Sequence, residues 1–208
     1  MLTKKQHLIK RIFDVIFSFI GLIFLLIPIL ILIIIASFTL KNLGLYYQSR
    51  IGRNAKLFTI YKIRTMKSLD FSKDSKLTLL DKYGITLIDD HRVTSFGNFL
   101  RKYKLDELPQ LYNVLIGDMS LVGPRPDIIG YADKLEGSDR IILTVRPGIT
   151  GPATLAFRNE ESLLSKQDDP FTYNNEVIWP EKVKFNIDYV KKWSFKNDLY
   201  YIFQTFFN

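Results

Sequence analysis

The chain has 208 residues, a formal net charge of +8, two histidines and no cysteine. Such a length holds one domain, or one domain with an appendage. The missing cysteines exclude a disulfide scaffold, a thiolate zinc site and a Cys nucleophile, and two histidines leave little room for His-rich metal sites. Chemistry in this chain must rest on carboxylates, Lys, Arg, Tyr or hydroxyls.

The first predicted element is apolar. The 26 positions from Val15 to Leu40 carry no charge, between Asp14 and Lys41. As one helix they would extend about 39 Å, more than the roughly 30 Å hydrocarbon core of a bilayer. The run exceeds the about 7 to 15 apolar residues of a signal peptide, and no small-residue cleavage site follows, so a retained membrane anchor is expected. Pro28, near its middle, removes a backbone hydrogen bond and predicts a kink. Two topologies satisfy this pattern: a single kinked span, or a helix-break-helix hairpin that enters one leaflet and returns. Basic residues on both flanks (Lys4, Lys5, Lys10 and Arg11 before; Lys41, Arg50 and Arg53 after) suit a hairpin with both ends on the cytoplasmic side. The same flanking cations are expected beside an anionic membrane surface.

Beyond Lys41 the pattern shortens. Residues Leu57 to Ile63 alternate well enough for a strand. The hydrophilic stretch from Lys67 to Arg92 reads as a solvated excursion with weak helical or strand content. From Phe96 onward, Leu100, Leu105, Leu108, Leu111, Tyr112 and Leu115 recur mostly at three- and four-residue spacing, an amphipathic helix signal. A helix starting near Leu105 or Asp106 would leave Pro109 in its first turn and stop at Gly117. The end of the chain, Trp193 to Phe207, carries Phe195, Tyr200, Tyr201, Phe203, Phe206 and Phe207 among few charges. It suits either a membrane interface or a terminal helix on the core.

Asp106 and Glu107 would then lie at a positive helix end, where acidic residues are common caps. Their neighbours point further. Arg101, Lys102 and Lys104 precede them, Arg125 stands between two prolines, and Arg146 precedes Pro147. Prolines stiffen the backbone that presents these guanidinium groups, which suits bidentate phosphate binding. A carboxylate among arginines can serve as a nucleophile toward phosphorus, as a metal ligand, or as both. The basic, aromatic tract from Tyr46 to Lys67 has a composition shared by many anion sites, and nucleic acid is not an expected partner.

The segments Leu105-Asp106-Glu107-Leu108-Pro109-Gln110-Leu111, Asn113-Val114-Leu115, Gly117 through Pro126 and Val145-Arg146-Pro147-Gly148-Ile149-Thr150-Gly151 resemble the bacterial sugar transferase family, small monotopic polyprenyl-phosphate phosphoglycosyl transferases. The segments Gln48 to Gly52 and Tyr61-Lys62-Ile63-Arg64-Thr65-Met66 are similar to its upstream motifs, and the likeness runs from Lys10 to Asp198. The resemblance implies an α+β fold: a compact, mostly helical catalytic domain with short strands over 42–208, on the cytoplasmic face of the bacterial inner membrane. A re-entrant hairpin kinked at Pro28 would form the anchor over 1–41. It implies transfer of a sugar 1-phosphate from a UDP-sugar to polyprenyl (undecaprenyl) phosphate with release of UMP, at the start of surface-glycan assembly. Asp106 would attack the β-phosphate and hold the sugar phosphate covalently, with Glu107 as its acid/base or metal-positioning partner. Mg²⁺ is the implied cofactor, with Asp106 as its ligand. Arg101 matches the position associated with the lipid phosphate, and Lys62, Arg64, Arg125 and Arg146 match basic positions around the nucleotide and its phosphates. The implied partners are the donor, the lipid acceptor and membrane lipids; whether the chain acts as a homodimer is left open.

Three departures stand out. Ile27 precedes Pro28 where the family often has Ser, Ala55 replaces a frequent Gly, and Arg158 to Pro180 does not follow the shorter family members. The competing reading, a noncatalytic membrane-surface module that binds anionic lipid or nucleic acid, would show no UMP release.

Overall fold

The computed structural model describes residues 2–68, 80–88 and 90–207. Much of the hydrophilic stretch expected to be a solvated excursion therefore lies outside the described residues. Helix α1 runs Lys4–Leu40, with Thr3 and Gln6 forming a reciprocal capping box at its start. It ends on Lys41 in the left-handed region, φ 51°. The helix runs through Pro28 without interruption, so the expected helix-break-helix is not seen. Only one N–H is lost at a proline, and an apolar helix of this length tolerates that loss.

One side of α1 meets the rest of the chain and the other does not. Gly21 lies against Leu111, while Leu32, Ile33 and Ala36 pack with Ile63, Phe96, Leu100 and Leu105. The opposite side leaves Ile16, Phe19, Ile23, Phe24, Ile27, Ile31 and Phe38 exposed. α1 is long and apolar enough to cross a membrane.

Strands β1 (Leu45–Ile51) and β2 (Leu57–Ile63) form an antiparallel hairpin, and β2 has the bounds its alternation predicts. Opposed pairs Tyr46–Lys62, Gln48–Ile60 and Arg50–Phe58 share a face because strand side chains alternate. A second, parallel pair joins β3 (Ser120–Val122) to β4 (Gly148–Thr150). Here two quoted motifs meet backbone to backbone: Gly148 N–H donates to Pro124 O at 2.8 Å, and Gly123 N–H to Thr150 O at 2.9 Å. A Cβ at Gly148 would collide with the Gly123 backbone, which accounts for glycine there.

Helix α2 (Ser95–Lys102) is followed by a 3-10 turn, Leu105–Glu107, and then by α3 (Gln110–Ile116). The single helix expected from Leu105 is thus divided. Lys104 adopts φ 56°, which reverses the chain after α2, and Pro109 has no N–H to join the turn to α3. Gly117 ends α3 at φ 98°, as predicted. Short helices α4 (Pro152–Ala156), α5 (Glu160–Ser165) and α6 (Pro170–Tyr173) lead through a π-turn at Asn174–Ile178 into α7 (Trp179–Lys191) and α8 (Phe195–Phe207).

Lys10, expected to face the membrane surface, points inward, as does Asp14, whereas Lys4 and Lys5 are exposed. Lys10 is 6% exposed and pairs with Asp198 of α8 at 2.7 Å, and Asp198 also accepts from Tyr189 and Trp193. Asp14 accepts from Ser120 Oγ and Leu121 N–H in β3. Burial of a charge is costly unless every one is partnered, and here each is. The aromatic C-terminus divides its faces: Asp198 is buried, whereas Leu199, Tyr200, Phe203, Phe206 and Phe207 are exposed.

Candidate active site

The site is built where the α2–α3 connection crosses the β1–β2 hairpin. Asn113 of α3 fixes that crossing. Fully buried, it donates through Nδ2 to Thr59 O at 2.7 Å and accepts from Tyr61 N–H at 3.1 Å. Its carbonyl also receives the N–H groups of Gly117, Asp118 and Met119 at the end of α3. One amide thereby sets the 3-10 turn against Lys62 of β2.

Asp106 and Glu107, on that turn, are 8% and 7% exposed. Their environments differ. Glu107 Oε1 accepts from Lys62 Nζ at 3.0 Å and from Arg125 Nη2 at 3.2 Å. Asp106 Oδ1 is buried with no hydrogen-bond partner. The pair separates accordingly. Burial pushes the Asp106 carboxyl up, with Lys62 opposing. Burial also pushes Glu107 upward, but Lys62, Arg125 and Lys104 outweigh it and hold it well below the usual range. Lys62 in turn is lowered by its burial despite Glu107. Neighbouring carboxyls with divergent environments are the arrangement that gives one of them a chemical task and the other a supporting one.

More charge surrounds this pair. Arg50, on the Lys62 face of the hairpin, donates to Gln48 Oε1 at 2.6 Å and leaves its own Nε buried and unpartnered. Its burial and the nearby Arg125 lower it to about 10. Asp127, two residues past Arg125, is raised to about 7 by burial, against Lys182, Arg50 and Arg125. Arg101 sits between Met66 and α5, pairing with Glu161 at 3.3 Å, while the adjacent Glu160 holds Lys182 at 2.6 Å.

The sequence-predicted residues therefore gather only in part. Lys62, Arg125, Asp106 and Glu107 converge, and Arg101 lies within electrostatic reach of Asp106. Arg64 does not join them: it donates to Leu43 O at 2.9 Å and lies over the Tyr46 ring. Arg146 donates to Gly117 O at 2.6 Å beside Arg11 and Arg53, with no contact to either carboxylate. Sequence reasoning missed Arg50, Asp127 and Asn113 as site residues, although all three stand inside or directly after quoted motifs. It also missed Glu160, Glu161 and Lys182, which lie where the likeness is weakest.

Among the described residues no cluster of three or more His, Asp or Glu side chains could cage a metal ion. Mg²⁺ normally needs only one or two carboxylates when substrate phosphates complete its shell, and the unpartnered Asp106 Oδ1 meets that requirement. Glu107 is already committed to two cations.

A buried carboxylate pair among several cations, beside a 37-residue apolar helix, makes a site suited to phosphate-bearing substrates near a lipid surface. The chain belongs to the bacterial sugar transferase family, whose profile matches residues 5–208. It is 35% identical over 97% of its length to a galactosyl transferase, CpsE, of Streptococcus agalactiae, covering 42% of that protein. It is 34% identical over 99% of its length to a UDP-glucose:undecaprenyl-phosphate glucose-1-phosphate transferase of Escherichia coli, covering 41% of it. The exopolysaccharide production protein ExoY of Sinorhizobium fredii is 34% identical over 94% of the chain, which covers 83% of that relative. The chain thus spans about two fifths of the longer relatives it matches.

Proposed function

We propose that this chain transfers a sugar 1-phosphate from a UDP-sugar to polyprenyl phosphate at a membrane surface, releasing UMP and starting assembly of a surface glycan. The observation that carries the reading is the contrast within the carboxylate pair: Asp106 has a buried, unpartnered oxygen while Glu107 is fixed between Lys62 and Arg125. The names of the Escherichia coli and Streptococcus agalactiae relatives support the substrate classes.

In this reading Asp106 Oδ attacks the β-phosphorus of the donor. The bond from that phosphorus to the bridging oxygen breaks, UMP departs, and the sugar phosphate remains on Asp106. An oxygen of the polyprenyl phosphate then attacks the same phosphorus, which frees the Asp106 carboxylate and forms the lipid diphosphate sugar. Glu107 holds Lys62 and Arg125 where they can neutralise charge developing on the transferred group. Arg101 meets the acceptor phosphate by displacing its contact with Glu161. A Mg²⁺ held by Asp106 and substrate phosphates would supply further charge neutralisation.

The anchor is read as monotopic, with the domain on the cytoplasmic face. Both ends of α1 are bound by the same folded unit: Lys10 and Asp14 near its start, and Leu32, Ile33 and Ala36, packed with Ile63, Phe96, Leu100 and Leu105, near its end. A helix standing across a bilayer would carry those ends to opposite sides. Cysteines introduced at positions 3 and 43 should be labelled from the same side; opposite labelling would reject the monotopic arrangement.

Activity is tested by UMP release from a panel of UDP-sugars with polyprenyl phosphate in membranes. Turnover by the wild type and a phosphosugar adduct trapped on Asp106 are expected. Absence of UMP release with every donor would favour a noncatalytic lipid-binding module, and near-normal turnover by Asp106→Asn would remove the nucleophile assignment.

A further inference from the structure

A second group of cations lies outside the carboxylate site and makes no ion pair among the described residues. Its residues come from three separate parts of the chain: His7 and Arg11 from the first turns of α1, Arg53 from the β1–β2 turn, and Arg146 from the segment before β4. Arg11 and Arg146 meet at Gly117, and His7 and Arg53 lie within electrostatic reach of Arg146. Arg11 donates to Val114 O at 2.6 Å and Leu115 O at 2.7 Å, and its guanidinium lies so close over Gly117 that a Cβ there would touch it. Arg146 reaches the same residue through Nε. Arg53 lies near enough to Arg146 and His7 to lower both, yet its side chain makes no hydrogen bond among the described residues and its Nε is buried.

Helix-end carbonyls account for three of the donors, since cations are favoured at a helix C-terminus. They do not account for the rest. Arg146 keeps both terminal nitrogens, Arg53 keeps all of its donors, and among the described residues no carboxylate lies within ion-pair distance of Arg11, Arg53 or Arg146. Two acids act on Arg146 from beyond ion-pair distance: Asp14, already occupied by Ser120 and Leu121, and Asp118 beside Gly117. Partly buried guanidinium groups repel one another unless an anion joins them, and planar forks of this type match phosphate oxygens.

Location selects the phosphate. His7 and Arg11 share their turns of α1 with Leu8, Ile9 and Ile12, all exposed. A ligand with an anionic phosphodiester and hydrocarbon chains would satisfy both surfaces together. We propose that Arg11, Arg53 and Arg146, with His7, form a binding site for the headgroup phosphate of an anionic membrane phospholipid, separate from the site at Asp106. This does not depend on the proposed transferase activity, because it concerns docking and lipid retention alone.

The test uses the full chain and vesicle flotation at fixed salt, with phosphatidylcholine vesicles compared with a 7:3 mixture of phosphatidylcholine and phosphatidylglycerol. One exposed cation near an anionic surface is worth up to about five-fold in binding, so Lys5→Ala sets the scale for general attraction. Arg53→Ala is the informative variant because its side chain supports no other group. It is expected to lower the preference for phosphatidylglycerol about ten-fold or more, with an unchanged thermal midpoint, and the wild type but not the variant should retain phosphatidylglycerol in native mass spectrometry. Equal losses for Arg53→Ala and Lys5→Ala would overturn the site, as would equal binding of wild type to both vesicles. Inorganic phosphate at millimolar concentration provides the remaining arm. If it raises the thermal midpoint of wild type but not of Arg53→Ala while phosphatidylglycerol gives no advantage, the cluster takes a free phosphate and the lipid assignment fails.

Discussion

Arg125 and Arg146 look alike in the sequence and are used differently in the molecule. Each is held by proline, each stands in a glycine-containing motif, and those motifs lie backbone to backbone across β3 and β4. Arg125 reaches a carboxylate, Glu107, and is raised by it. Arg146 reaches a carbonyl, Gly117 O, and is lowered by burial and by Arg11 and Arg53. The lesson is that a stiffened arginine says only that a guanidinium will be presented firmly. Its task is set by the group opposite, which comes from elsewhere in the chain.

Variants can break or sharpen this contrast. The largest effect is expected for Asp106→Asn, which removes the proposed nucleophile; transfer should fall by at least about 10³-fold with the fold intact by circular dichroism. Arg125→Ala should lower kcat by roughly 10²-fold, as expected for a lost charge-stabilising donor, with a modest loss of stability because Glu107 keeps Lys62. Arg146→Ala should show the reverse balance: a destabilisation of about 1–3 kcal/mol in chemical denaturation and a smaller change in turnover, because Gly117 O loses its partner. Similar kinetic and stability effects of the two alanine variants would erase the distinction. The smallest effect is in the pH profile. Asp106 must be ionised to attack, and burial raises it, so activity should be lost as pH falls through a value above that of an ordinary Asp carboxyl. Glu107, held low, stays charged there and adds no acid limb. An acid limb at ordinary carboxylate values would contradict the buried, unpartnered state of Asp106.

Local rules made part of this legible in the sequence. Alternation fixed β2 to its bounds, and Gly117 ended α3, because each depends on neighbours along the chain. The carboxylate pair and Lys62 were legible through the resemblance, and the structure brings them together. The division of the Leu105 helix was hidden because it needs the left-handed turn at Lys104, an uncommon state for a lysine. The inward turn of Lys10 was hidden for a different reason. A basic residue beside an apolar run reads as a membrane flank, and only the folded chain supplies Asp198, 188 residues away, to hold it.

That pairing also bears on biosynthesis. At about 5–20 residues per second, a ribosome needs roughly 10–40 s to add the 188 residues between Lys10 and Asp198. For most of that interval, once Leu40 has been added, the apolar helix is already made, while the carboxylate that pairs with Lys10 does not yet exist. The anchor can meet lipid early, but its seat against the domain closes only when α8 has emerged. Premature termination before Asp198 would therefore leave a membrane-seeking segment with an unmatched buried charge, a natural mark for quality-control proteolysis.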